Sequence, residues 1–442
     1  MRVSTQEFYQ SSLYSLLNQQ STLNNLSQQL STGNALINPT SNPVANAQVL
    51  DLNSKIANLG SYQQSNTYAQ QDLGMSSSTL QSVGTLMNQV QQLAVQMNNA
   101  TVNASDLHNA VATMQGNLQQ LVQLANTQDA NGTYIYGGSR ANTPPFQLQS
   151  DGTVQYLGDS SQKTLEIGPG LTTPISQAGN AVFMNTLAGN GTFTVSGSAS
   201  NYQIPAGSSG TSVNAVGNTT LGPGSVLNSA TANSEFVAKG AQFEVTISNG
   251  ASGLTYNVTS GTGVVGSAGW TASSGSVVSG TYTPGQSIAI PATEGGSPFI
   301  TVSTNGEPAS GQTATFTLAA SKPQSLFQTF SDLITAFSEG SGSPGANTRR
   351  AQDISNALAN LNQFQTSLLS TQAQIGSQLQ QAQSVQSLNT NLTQQFQTAR
   401  GNLADVSYPQ VITQFQESST ALQAAQKAFV QVQGLSLFNY IS

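Results

Sequence analysis

Apolar residues return every seven positions near the start of the chain, at Tyr9, Leu16, Leu23 and Leu30, with Leu13 and Leu26 beside the same seam. That spacing predicts an amphipathic helix with a narrow apolar stripe, thinned by Gln20 and Ser27. The helix is expected to stop at Ser31-Thr32-Gly33. Gly33 can take the left-handed conformation that closes a helix, and neither Pro39 nor Pro43 can continue the ladder. Asn42 offers a capping oxygen and Pro43 suits the first helical position, so a second helix starts there, carrying Val49, Leu52, Ile56 and Leu59 at 3,4 spacing. Leu80, Val83, Met87, Val90, Ala94 and Met97 follow the same rule, and a further stripe runs Leu107, Val111, Met114, Leu118, Leu121 and Ala125. These two stripes are expected to pack as a helical hairpin, the second capped by Ser105 with Asp106 at its positive end.

The period changes after Asn131. Glycine, proline and aromatic residues crowd together up to Pro145, and extended structure is expected from Tyr134, Ile135 and Tyr136 onward. Phe243, Val245 and Ile247 alternate with polar residues, as do Leu254, Tyr256 and Val258, which predicts a hairpin; Phe316 and Leu318 mark a late strand. With Trp270 these residues furnish a core, so the Gly-, Ser- and Thr-rich middle reads as a folded β domain and not a linker. Helical spacing returns after Pro323 and runs through Ile354, Leu358, Leu361, Leu368, Ile375 and Leu379, with Phe364 beside it, then Val385, Leu388, Leu392, Phe396, Ala399 and Leu403. Tyr408-Pro409 interrupts it, and Val411, Phe415, Ser418, Leu422, Ala425, Phe429 and Val432 keep a 4,3 alternation almost to the end. The fold class is therefore mostly α with an inserted β domain, with long antiparallel helices from both termini forming coiled-coil-like layers.

A stripe on a lone helix has nothing to bury against, and each large aliphatic side chain contributes ~1.5–3 kcal/mol when fully buried. Stripes at both termini therefore call for partners. Composition sharpens the point: there are 10 Lys and Arg and 17 Asp and Glu, and charged residues make up only 6% of the chain. Like-charge repulsion between copies is correspondingly weak, which favours repeated self-association. Tyr9, Leu13, Leu16, Leu23, Leu30, Val411, Phe415, Leu422, Phe429 and Val432 are the candidate packing residues.

The same composition argues against other functions. No Lys or Arg lies between Lys55 and Arg140, so a basic face for nucleic acid is missing there. No apolar run approaches a membrane span, and the first residues lack a secretory core, which predicts export by a Sec-independent route or a cytosolic life. Cysteine is absent, so there is no thiol chemistry. His108 sits two residues from Asp106, too close along a helix to form a ligand pair. Glu235 and Glu244 have no carboxylate partner in the pattern, and Arg349-Arg350 reads as a solvated helix start. No catalytic, cofactor or metal site is expected.

Three segments carry a family likeness. Ser31-Thr32-Gly33 with the Asn38-Pro39 and Asn42-Pro43 elbow resembles flagellin-like axial proteins. The run Asn131-Gly132-Thr133-Tyr134-Ile135-Tyr136-Gly137-Gly138 with Pro144-Pro145-Phe146 is similar to the helix-to-hairpin junction of the hook-associated protein 3 family, and so is the tail from Thr420 to Phe429 and then Leu437-Phe438-Asn439-Tyr440-Ile441. The likeness covers about 1–185 and 323–442; this chain has Asn34 where family members tend to carry a basic residue.

The resemblance implies a non-enzymatic structural subunit at the hook–filament junction of the bacterial flagellum, exported by the flagellar type III apparatus without a cleaved signal and with a dedicated chaperone. It further implies a ring of identical subunits between hook-associated protein 1 and flagellin, with no cofactor, no nucleic acid and no membrane insertion. On this reading 1–45 and 398–442 form the terminal polymerisation layer, disordered in the free monomer; 46–185 and 323–397 form a helical bundle with a β-hairpin; and 186–322 form an outer β-rich domain. The alternatives are a flagellin-type filament subunit and a secreted adhesin whose β domain binds a ligand.

Overall fold

The computed structural model describes residues 2–38, 40, 42–99, 101–198, 201, 217–262, 271–339 and 344–441, and their side chains except at 2–6, 8, 273–274, 344 and 432–441. Helix α1 (Arg2–Thr32) leads through an elbow to α2 (Pro43–Met97) and across a turn to α3 (Ala104–Ala125). Two small hairpins follow, β1 (Phe146–Leu148) with β2 (Val154–Tyr156) and β3 (Thr164–Gly168) with β4 (Leu171–Pro174), then the short α4 (Gly179–Phe183) and β5 (Thr186–Leu187). The β-rich middle contains β6 (Phe193–Gly197), β7 (Thr220–Leu221) and β8 (Ser225–Val226), then α5 (Ser229–Ala232) running into a π-helical turn (Asn233–Ala238). It continues with β9 (Gln242–Gly250), β10 (Gly253–Thr262), β11 (Thr271–Thr281), β12 (Ser287–Pro291), β13 (Pro298–Asn305) and β14 (Thr313–Ala320). After β15 (Pro323–Gln324) the chain is helical: α6 (Leu326–Ser338), α7 (Pro344–Ala404) and α8 (Tyr408–Ile441). This is the predicted class, long helices at both ends around an inserted β region.

Contacts divide the residues into two units: Met1–Thr67, Glu166–Leu171 and Gln383–Ser442 form the first, Tyr68–Leu165 and Thr172–Ala382 the second.

The stripes at Val49–Leu59 and Leu80–Met97 belong to one 55-residue helix, because no proline interrupts α2 and its glycines keep helical geometry. Within the second unit, Gly84 faces α7 so closely that an added Cβ would lie 3.3 Å from Leu368 Cδ2. The α3 stripe shares one buried core with Leu80–Met97, with Leu326, Phe330 and Leu333 of α6, and with Ile354, Leu361 and Leu368 of α7. Helix α3 is capped one turn-step earlier than expected. Asn103, not Ser105, accepts the Asp106 N–H at 3.0 Å while Asp106 returns a bond to the Asn103 N–H at 3.3 Å, a reciprocal box that satisfies two free amides.

Extended structure at Tyr134–Tyr136 is not what forms. The segment is a series of turns with a single bridge from Tyr134 to Gln128, and the first strand is β1. The cause lies in Gly137-Gly138: Gly138 has φ 67, and the loop is clasped by Asp159, whose carboxylate receives the Ser139 hydroxyl and, at 3.0 Å, the Ser139 N–H.

The β-rich middle is a sandwich. One sheet runs β11-β10-β9-β14-β6, the other β12-β13-β7 with β8 also on β13, and every pairing is antiparallel. Phe243, Val245 and Ile247 alternate inward as predicted, meeting Phe316 and Leu318 from β14 and Ile288, Phe299 and Val302 from the opposite sheet. Leu254, Tyr256 and Val258 lie on β10, hairpin partner of β9, and Gly253, at φ 101, is the first residue of β10 after the turn. Trp270 lies outside the described residues. Strand β5 pairs with β15, Leu187 opposite Pro323 and Thr186 opposite Gln324.

Candidate self-association surface

In the first unit α1 runs beside α8. Tyr9 and Phe429 meet with ring centroids 5.0 Å apart; Leu16, Leu23, Leu30, Phe415, Leu422 and Phe429 are half-buried, and Val411 is buried. Leu26, which the pattern set beside the seam, is buried as well. Two helices cover only one side of such stripes. Tyr9 (45% exposed), Leu13 (42%), Tyr14 (67%) and Leu17 (52%) of α1, with Ile412 (43%) and Val430 (64%) of α8, remain in contact with solvent. The charges on these two helices are Arg2, Glu7, Glu417 and Lys427, so the exposed apolar groups are ringed by amides and hydroxyls. The side chains of Val432, Leu437, Phe438 and Tyr440 are outside those described, although their backbone is helical in α8.

The elbow accounts for the Ser-Thr-Gly signature. The Ser31 and Thr32 hydroxyls donate to the Gln28 carbonyl at 3.0 and 2.8 Å, drawing off a helix-end acceptor. Gly33 stands at φ 74 and its N–H closes on Gln29 O at 2.8 Å, the left-handed stop. Its carbonyl accepts from Val406 N–H at 3.0 Å, and Ala35 N–H donates to Ala404 O at 2.7 Å, so the break after α1 is stitched to the break before α8. Asn42 Oδ1 accepts from Ala45 N–H at 3.0 Å ahead of Pro43; Pro39 lies outside the described residues. A Cβ on Gly33 would sit 3.2 Å from Tyr408 Oη. Gly33→Ala is therefore expected to cost ~1–2 kcal/mol locally, read as faster hydrogen exchange at Val406; unchanged exchange there would contradict this role.

Sequence reasoning missed a second anchor in this unit. The turn Glu166–Leu171 is held through the Ile167 carbonyl, which accepts from Asn66 Nδ2 at 2.9 Å and Asn389 Nδ2 at 3.0 Å. Both asparagines are buried. Their signal was the heptad itself: Asn66 falls seven residues from Leu59 and Leu73, and Asn389 seven from Ala382 and Phe396. A polar residue at an apolar position of that kind needs a buried partner.

In the second unit the glycine-rich junction seats an aromatic cluster. Asn131 is exposed, and its N–H and that of Thr133 donate to Asp129 Oδ1, both at 2.8 Å, with Gly132 at φ 78 completing the turn. Tyr134 is half-buried, and its N–H donates to Ala141 O at 2.8 Å. Tyr136 is fully buried and meets Phe183 edge-on at 5.1 Å. Phe183 also packs on Phe146 at 5.4 Å and Phe327 at 5.9 Å. Tyr156 Oη lies 2.7 Å from Asp159 O and 3.0 Å from Tyr136 O, two carbonyls that share its one hydroxyl proton. Hydrogen bonds from the Ser139 hydroxyl and N–H, then Ser161 N–H, hold the Asp159 carboxyl well below the usual carboxylate range.

Chemistry of other kinds finds little footing. Among the described residues no three His, Cys, Asp or Glu are placed to hold a metal ion, and no helix is long and apolar enough to cross a membrane. His108, Glu235 and Glu244 do not come together: His108 is exposed on α3, Glu235 pairs with Lys239 at 2.6 Å, and Glu244 lies on β9. Arg349 pairs with Glu339 at 2.9 Å, and Arg350, expected to be solvated, is buried. Its turn of α7 packs inward, as the neighbouring bonds from Thr348 to Gly217 and Gln352 to Leu221 require.

With this geometry in hand, the comparisons agree on one group. Residues 3–141 match the bacterial flagellin N-terminal helical region. The chain is 30% identical over 204 residues to flagellar hook-associated protein 3 of Escherichia coli K12, covering 46% of this chain and 63% of that one. It is 30% identical over 190 residues to flagellar hook-associated protein 3 of Salmonella typhimurium LT2, covering 43% and 59%. The matched stretch thus spans less than two thirds of either curated relative. The crystal structure of flagellar hook associated protein-3 from Legionella pneumophila superposes with a TM-score of 0.66 at 22% identity, over 80% of this chain and 98% of that one, a likeness of fold.

Proposed function

We propose that the chain is a member of the flagellin-like axial proteins and a structural subunit joining the flagellar hook to the filament. The observation carrying this reading is the apolar surface that α1 and α8 leave open, at Leu13, Tyr14, Leu17, Ile412 and Val430. Copies of the same chain complete it, so that segments 1–45 and 398–442 act as the polymerisation layer. The ring so formed sits on hook-associated protein 1 and carries the first flagellin subunits, outside the cell, after type III export with a chaperone. The bundle of 46–185 and 323–397 stiffens the subunit, and 186–322 form its separate β-rich domain. The work is mechanical and needs no catalytic centre.

Deleting the coding region tests it: intact hooks, no filaments and flagellin shed into the medium are expected. Normal filaments in the deletion strain would overturn the junction role, and purified chain that grows long filaments unaided would favour a filament subunit.

A further inference from the structure

Within the second unit a cleft of ≈ 330 Å³ separates the strands at the start of the β region from α6 and α7, with Asp332 and Asp353 in its wall. Its charges are unbalanced. Arg349 Nε lies 2.9 Å from Glu339 Oε1 and 3.8 Å from Asp353 Oδ2, while the second Glu339 oxygen is buried with no hydrogen-bond partner. Among the described residues Asp332 accepts from neutral amides alone, Gln324 Nε2 and Gln328 Nε2, each at 2.8 Å.

That acid is the end of a relay. Gln324 Oε1 accepts from Asn360 Nδ2 at 3.0 Å, and Asn360 Oδ1 accepts from Gly189 N–H at 2.6 Å. The Asp332 carboxylate is thereby wired to the backbone where the β region begins, and Asp353 lines the same cleft beside Gly189, Val195 and Pro223. From the facing strands no compensating charge arrives: 186–197 and 220–226 contain no ionisable side chain, and Lys322 is exposed. Arg350 forms no ion pair among the described residues. One guanidinium, that of Arg349, therefore pairs with two of the three carboxylates, and no ion pair among the described residues reaches Asp332.

We propose that this interface is a proton-linked clasp, in which uptake of one proton by Asp353 tightens α6 and α7 on the root of the β region. Burial, then the facing Glu339, push the Asp353 carboxyl up to about 6, with Arg349 opposing and Asp332 adding to the rise. The folded chain therefore holds this proton at pH values where the unfolded chain has released it. The clasp is firm below about pH 4, and its hold is lost as pH rises through about 6.

Hydrogen exchange of the full chain at Gly189 and Leu221, corrected for intrinsic rates, tests the clasp. Protection is expected to be about fivefold greater at pH 5 than at pH 7.5, a modest factor because 40% of the Asp353 side chain faces solvent and is screened. Asp353→Asn should flatten the profile at the low-pH level. Asp332→Asn should move the midpoint downward. A flat wild-type profile, or an Asp353→Asn profile with the wild-type slope, overturns the proposal. If that variant does not fold, carbon NMR titration of Asp353 in the wild type decides: a midpoint near 4 overturns it, one near 6 supports it.

Discussion

Replacing Leu13 and Leu17 together with glutamate is expected to abolish assembly while leaving the isolated chain folded. Both side chains are about half exposed in the α1–α8 pair, so in the monomer their loss removes little burial, and changes at such sites usually stay within ~0.5 kcal/mol. In the assembled state each leucine would contribute ~1.5–3 kcal/mol by burial, and a carboxylate in its place would be left unpaired in an apolar seam. The penalty recurs at every contact between copies. The check is paired: thermal unfolding of the purified variant should match the wild type, and expression in the deletion strain should give hooks without filaments. Filaments of normal length from the variant would remove the assembly role assigned to this surface.

Phe327→Ala should show the largest loss of stability, ~3–5 kcal/mol, because it empties the centre of a close-packed site. Phe327 is almost fully buried, with its ring 5.1 Å from Phe146 and 5.9 Å from Phe183. Those rings come from β1, α4 and α6, three elements too short to hold position alone. Denaturant unfolding of the full chain should show a sharply lowered midpoint for the transition of this core. A loss below ~1 kcal/mol would mean that the hairpin and α6 are held chiefly by something other than the aromatic cluster.

How legible these features were depends on their range. The helices were readable because period is a local property: the stripe through Tyr9 and Leu30 and the stop at Gly33 each depend on neighbours within a turn or two. The β9–β10 hairpin was readable for the same reason, since alternation and a glycine turn lie side by side. Tyr134–Tyr136 misled because aromatic residues favour strands in general, whereas here a residue 20 positions away from Ser139, Asp159, fixes the loop. Asn66 and Asn389 were visible only as interruptions of a heptad, and their shared partner, the Ile167 carbonyl, lies more than a hundred residues from one and more than two hundred from the other. The buried Arg350 belongs with these, since its environment is made by distant chain.

The two-residue ladder of β5 with β15 places the entrance and the exit of the whole middle region against each other. Everything between them therefore enters and leaves at one point, and a change in its length carries a closure cost that grows only with the logarithm of that length. Whatever occupies that slot must keep Thr186 against Gln324 and must also supply acceptors and donors for Thr348, Gln352 and Asn360 of α7.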